Sequence, residues 1–169
     1  MKSKFISSKS TKLNLGSGHR PLKGYFNIDK NSFEGVDKIW DLDKFPYPFK
    51  DNTFDLINAD SIIEHLTNIE NVMKELRRIS KPNTLIKISV GYFSGVNSYT
   101  DPTHKHFFTY NSFEFFKGFK ITKKRLIYSC NPLLSWLNFL PNLFPKVYER
   151  FFCYIIPCQA LIVEMKVIK

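Results

Sequence analysis

The chain is poor in cysteine, in glycine and in uninterrupted apolar sequence. Three of its 169 residues are Cys, at 130, 153 and 158, an odd number without the paired C-x-x-C spacing of a zinc module. A disulfide scaffold is thereby excluded, and the three thiols read as reduced core residues of a cytosolic protein. Gly16-Ser17-Gly18 lacks the third glycine of a dinucleotide fingerprint, because Pro21 occupies its place, which argues against a nicotinamide or flavin Rossmann site. Ser17 has no G-x-S-x-G frame around it, so a serine-hydrolase elbow is absent. No run of about 20 apolar residues is available to span a bilayer, and Met1–Lys12 mixes Lys with Ser in place of a leader's apolar core.

What is present is a basic, aromatic chain with one domain's length. Hydrophobic residues make up 43% and charged residues 24%, which excludes disordered and low-complexity classes. The net charge of +10 is unevenly placed: residues 1–33 hold seven bases and one acid, 34–75 four bases and ten acids, and 76–169 fourteen bases and four acids. A basic body with an acidic middle suits an anionic partner. The expected organisation is a single domain over 1–169, with a basic flexible tail at 1–11 and an apolar helical insertion at 130–157.

Apolar runs bounded by Gly, Pro, Asp and Asn predict strands at Lys12–Leu15, Tyr25–Ile28, Val36–Trp40 and Phe54–Ile57. Thr67 and Glu70 then read as a capping box for a helix with Ile69, Val72, Met73, Leu76 and Ile79 on one face, stopping at Ser80 ahead of Pro82. Alternation predicts further strands over Leu85–Val90, Lys120–Tyr128 and Ala160–Ile168, with a short helix near Ser112–Lys117. This order is that of an α/β domain with a parallel sheet. Only His19–Gly24 separates the Gly turn from the second strand, so the usual crossover helix, which takes about 10–12 residues or more, must be absent or reduced to a turn.

In open α/β sheets ligands sit beyond the carboxyl ends of the strands. The Gly turn lies at one such end, and Asp29, Asp41 and Asp60 follow the second, third and fourth strands. Three carboxylates at one edge suit a ligand with a diol, an exocyclic amine and a positive centre.

The motifs continue in a recognisable order. Leu13-Asn14-Leu15-Gly16-Ser17-Gly18 and Gly24-Tyr25-Phe26-Asn27-Ile28-Asp29 are followed by Asp41-Leu42 and by Pro46 through Asp55, then Glu64-His65-Leu66 and Lys81-Pro82. This series resembles the class I S-adenosylmethionine-dependent methyltransferases of the type 11-like kind. Asp101-Pro102-Thr103-His104 with Phe108-Thr109 resembles a small branch associated with glycan and cell-surface biosynthesis. The resemblance covers about residues 12–116. It implies a Rossmann-like methyltransferase sheet, mostly parallel with an antiparallel last strand, and S-adenosylmethionine as cofactor. It further implies that Gly16, Ser17 and Gly18 pack on the methionyl part, Asp29 holds the ribose diol, Asp41 and Leu42 take the adenine, and Ala59 and Asp60 line the methyl-donor end. Asn83-Thr84 stands where the family often has Gly-Gly, and Asn tolerates positive φ. Asn58-Ala59-Asp60-Ser61 replaces the N-P-P-Y-like motif of adenine-N6 enzymes, so base methylation of that kind is not expected.

A hydroxyl acceptor wants a base near neutral pKa, which favours histidine. His104, His106 and His65 are the candidates, all in loops that can reach the sheet's carboxyl edge. No metal is expected: His104-x-His106 has no Cys nearby and Asp101 as its one acidic companion.

Pro132, Pro141, Pro145, Lys146, Glu149 and Arg150 interrupt the insertion, leaving two short helices, roughly Leu133–Leu140 and Lys146–Ile156. They could pack on the domain or an oligomer partner. With Trp136, the phenylalanines and the basic run Lys117–Arg125, they could also make peripheral contact with a membrane. The expected function is methyl transfer to a hydroxyl or carboxyl of a small molecule, sugar or lipid-linked glycan, in the cytoplasm or at the inner face of the membrane. The alternatives are a non-catalytic binding or scaffold protein on a degenerate methyltransferase fold, and an RNA-modifying methyltransferase. No recognised nucleic-acid-binding motif supports the last of these.

Overall fold

A computed structural model describes residues 11–169. The basic tail expected over 1–11 lies, Thr11 apart, outside them. The strands are β1 (Lys12–Leu15), β2 (Phe26–Asp29), β3 (Lys38–Ile39), β4 (Phe54–Asp60), β5 (Ser80–Gly91), β6 (Phe119–Ile127) and β7 (Ala160–Val167). They form one sheet in the order β3-β2-β1-β4-β5-β7-β6. The first five are parallel to one another. β7 inserts antiparallel between β5 and β6.

Among the described residues, the helix and most of the apolar core pack on one face of the sheet. There Leu13, Leu15, Ile57, Ala59, Ile86, Ile88, Val163 and Met165 are fully buried, in one core with Val72, Met73, Leu76 and Ile79 of helix α1 (Ile69–Ile79) and with Tyr47, Phe49, Phe54 and Phe113. Strand side chains alternate between faces, so the other face carries Lys12, Asn14, Leu56, Asn58, Leu85, Lys87, Ile162, Glu164 and Lys166. No helix connects β1 to β2 or β2 to β3, as the short spacing requires.

The connector that replaces the first helix is fastened by side-chain amides. Asn27, Asn14 and Asn58 stand side by side on β2, β1 and β4. Asn14 Nδ2 donates to Asn27 Oδ1 at 3.0 Å and to the Arg20 carbonyl at 3.4 Å, and Asn58 Nδ2 donates to Asn14 Oδ1 at 3.0 Å. Asn27 Oδ1 also accepts from Leu22 N–H at 2.8 Å. Buried amides cost free energy unless bonded; here their partners are the backbone of the connector itself.

Several expectations are corrected. The residue capping α1 is Asn68, whose side chain accepts from Asn71 N–H, while the Thr67 hydroxyl donates to Asp43. β5 starts at Ser80 rather than Leu85, passing Asn83 at φ 64°. Residues 109–115 form successive turns, with Ser112 N–H on the Thr109 carbonyl and Glu114 N–H on that of Asn111, and no helix. A one-turn helix α2 (Asn97–Thr100) was not foreseen. The insertion holds a 3₁₀ turn at Ser135–Asn138, then α3 (Phe139–Leu143) and α4 (Pro145–Phe151), all shorter than expected. Cys130 is exposed, so only Cys153 and Cys158 are core thiols.

Candidate functional site

β1 delivers the chain into the turn Gly16-Ser17-Gly18 at the carboxyl edge. Gly16 and Gly18 have φ of 61° and 49°, conformations that favour glycine. A Cβ on Gly16 would meet Ile62 at 2.4 Å, whereas a Cβ on Gly18 would meet nothing within 4 Å. Gly16 is therefore a packing glycine, and Gly18 leaves free space above the turn.

Asp29, at the end of β2, is 7% exposed. Its Oδ2 accepts from Gly18 N–H and its Oδ1 from Asn31 N–H, both at 2.9 Å. The carboxylate thus keys the Gly turn to β2 and makes its own Asx turn as well. Ser17 N–H is taken by the Ile28 carbonyl, so the backbone donors of Ser17 and Gly18 serve the turn rather than a ligand. Ser17 Oγ is buried with no partner among the described residues.

A cleft of about 470 Å³ opens beside this turn, lined by Asn14, Gly16–Arg20, Leu22, Asn58, Asp60 and Ser61. Its volume lies within the usual range for small-molecule sites. Of the residues expected at the cofactor, Gly16, Ser17, Gly18 and Asp60 line this cleft together, and Asp29 is joined to it through its bond from Gly18 N–H. Asp41 is half-exposed and accepts from Asp43 N–H, and Leu42 is buried with its carbonyl taken by the Tyr47 hydroxyl. Neither forms part of this cleft. The Ala59 side chain is fully buried on the covered face and does not line this cleft.

The histidines group differently from their order in the chain. His65 closes a 3₁₀ turn at Ile63–His65, just past β4, and His104 follows β5. Their rings meet edge-on with centroids 4.7 Å apart. His65 Nδ1 lies 2.8 Å from Thr103 Oγ1, and His104 Nδ1 lies 2.9 Å from the Ser98 carbonyl. Asp101 completes the group, its Oδ1 accepting from Thr103 N–H and Oγ1. His106 is not in the group, and its Nε2 is buried without a partner among the described residues.

Glu64 lies beneath, 3% exposed, with Oε1 accepting from Gly91 N–H at 3.3 Å. Burial pushes its carboxyl above the usual range, against the pull of its hydrogen bonds and of both imidazoles. Sequence reasoning overlooked it as a site residue; the signal available was an acid beside a histidine at the end of a core strand.

Comparison with known proteins agrees with this fold. Residues 30–88 match the model of a family described as "Methyltransferase domain". A SAM-dependent methyltransferase from Archaeoglobus fulgidus superposes with a TM-score of 0.70 at 17% identity, over 96% of this chain and 88% of that one. The fold is that of the class I S-adenosylmethionine-dependent methyltransferases. YcgJ from Bacillus subtilis resembles this chain with a TM-score of 0.64 at 11% identity, over 99% and 94% of the chains. A phosphoethanolamine N-methyltransferase from Haemonchus contortus, in complex with phosphomonomethylethanolamine and S-adenosylhomocysteine, gives 0.60 at 13%, over 96% of this chain and 49% of that one. No curated protein sequence matches.

Proposed function

We propose that this methyltransferase domain binds S-adenosylmethionine at the Gly turn and transfers its methyl group to a hydroxyl or carboxyl oxygen of a small molecule, sugar or lipid-linked glycan. One observation carries the reading: the Gly turn keyed to Asp29 and the His65–His104 pair occupy the same carboxyl edge of a methyltransferase sheet. Bound S-adenosylmethionine supplies an electrophilic methyl and departs as S-adenosylhomocysteine.

The chain's own residues position and deprotonate. Gly18 leaves room above the turn for the ligand's backbone-side approach. Each Asp29 oxygen already accepts one N–H, and each keeps a further lone pair for a ribose hydroxyl. Asp60, at the tip of β4, faces the cleft. As the acceptor oxygen attacks, its proton passes to an imidazole Nε2 of the His65–His104 pair. Holding donor and acceptor in line contributes much of the acceleration in such a displacement.

A second reading, a binding scaffold on the same fold, draws on the backbone donors of Ser17 and Gly18 being already engaged. Calorimetry with S-adenosylmethionine and S-adenosylhomocysteine separates the two. The enzyme reading expects binding that weakens about ten- to a hundredfold in Asp29→Asn, since bonds to a charged acceptor are worth about 1.5–3 kcal/mol. No binding of either compound at high micromolar concentration leaves the scaffold.

The insertion supports a location for the acceptor. Trp136, Phe139, Leu143, Phe144, Phe151 and Ile155 are exposed, with Ile155 at 74%, while Tyr148 and Cys153 anchor the segment in the core. Lone exposed apolar residues are ordinary; a contiguous segment of them is not. We read this face as a peripheral contact with an anionic membrane. Sedimentation with anionic vesicles should carry the wild type down, and Trp136→Ser with Phe144→Ser should leave it in the supernatant; equal sedimentation of both overturns this contact.

A further inference from the structure

We propose that His65, Asp101 and His104 form a binding site for a divalent transition-metal ion, with zinc the best fit, at the carboxyl edge of the sheet. One potential ligand atom from each lies within 4.8 Å of the other two. Ligands on a tetrahedral zinc ion with bonds of about 2.1 Å stand about 3.4 Å apart, a contraction that small side-chain rotations supply.

The hydrogen bonds around the group fix both imidazoles in the ligating form. The Ser98 carbonyl can only accept, so the proton of neutral His104 sits on Nδ1 and its Nε2 presents a lone pair. The Thr103 hydroxyl donates its one proton to Asp101 Oδ1, so toward His65 it can only accept. The proton of His65 is therefore also on Nδ1, and its Nε2 is also a lone pair. Imidazoles that ligate metals through one nitrogen and donate the other N–H to an oxygen are the rule in metal sites. Here one Thr103 side chain orients a histidine and a carboxylate at once.

A second observation points to a cation. Glu64 adjoins His65, is 97% buried, and its Oε2 has no hydrogen-bond partner among the described residues. Buried carboxylate oxygens are normally satisfied. Two nitrogens and one carboxylate favour zinc and its neighbours over magnesium or calcium, which prefer oxygen ligands. Three protein ligands also leave coordination positions open. If methyl transfer is the activity, on which only this last step rests, an acceptor oxygen bound there would be more acidic and, with both Nε2 atoms on the ion, would lose its proton to water in place of an imidazole.

The test uses the full chain, with Zn²⁺ by calorimetry and Co²⁺ by visible absorption. One equivalent should bind, with the Co²⁺ bands of a low-coordinate site. His65→Ala, Asp101→Ala and His104→Ala should each weaken binding at least tenfold. Thr103→Val, which removes no ligand, should weaken it about ten- to a hundredfold, and Cys130→Ser should change nothing. Far-UV circular dichroism reports whether each variant is folded. Absence of saturable binding to the folded wild type, or equal binding by the His65→Ala/His104→Ala double variant, overturns the site. S-adenosylhomocysteine affinity, measured without metal, keeps a failure here distinct from a failure of the methyl-transfer reading.

Discussion

On β5, Ile86, Ile88 and Val90 point into the covered face and are buried, while Leu85, Lys87 and Ser89 point the other way and are half-buried or exposed. The same division runs through β4 and β7. One face follows the ordinary logic of an α/β layer, with apolar side chains closing on a helix and on loop aromatics. On the other, no helix connects β1 to β2 or β2 to β3. The His19–Gly24 connector there is held by amides rather than by an apolar stripe. The difference shows which parts of the fold the sheet needs. α1 and its aromatic neighbours supply the core, whereas the first crossover can shrink to six residues if buried polar groups take over its attachment.

Ile88→Ala and Lys87→Ala, neighbours on opposite faces, put that contrast to its widest test. Truncating a fully buried Ile should cost about 2–5 kcal/mol. Removing an exposed lysine should stay within about 0.5 kcal/mol. Urea denaturation of both variants measures the gap. A large loss at Lys87 would mean that something covers the open face.

Asn14→Ala comes next in size. It strips a partner from Asn58 Nδ2, from Asn27 Oδ1 and from the Arg20 carbonyl. Unsatisfied buried groups cost about 1–3 kcal/mol. The damage should be local: amide exchange should rise in residues 19–25 and stay unchanged in β5 and β7. Uniform acceleration across the sheet would show that the amide row supports the whole layer rather than the connector.

Much of this architecture was legible because strand alternation and helical spacing carry their own periodicity. β1, β6, β7 and α1 lie within a residue or two of expectation, and the missing first crossover follows from chain length alone. Side-chain rivalry was less legible. Thr67 and Asn68 can both cap α1, and only the position of Asp43 from a distant loop decides that Thr67 is drawn away. The turns at 109–115 have an apolar pattern that suits a helix, but their bonds close over three residues. In the site, the Gly turn and Asp29 could be read from motif order. The pairing of His65 with His104 could not, because the adjacency of β4 and β5 creates it across 39 positions.

The smallest effect concerns the stitching on the covered side. Asp43 accepts from Thr67 N–H at 2.7 Å and from the Thr67 hydroxyl at 2.8 Å, with Lys105 Nζ 3.7 Å away. Burial pushes its carboxyl up, but the Thr67 bonds and the Lys105 charge outweigh that and hold it below its ordinary value of 3.8. A carboxylate whose folded pKa is depressed adds stability that is fully present above the unfolded value and is lost as pH falls through the folded one. Asp43→Asn should therefore cost on the order of 1 kcal/mol near neutral pH, a modest figure because the side chain is 30% exposed and partly screened. The cost should shrink once pH drops below about 4 and the wild-type carboxyl begins to take up its proton. Denaturation of wild type and variant at pH 7, 5 and 3 reads this directly. A gap of constant size across that range would assign the effect to packing at the Thr67 corner and remove charge from the account.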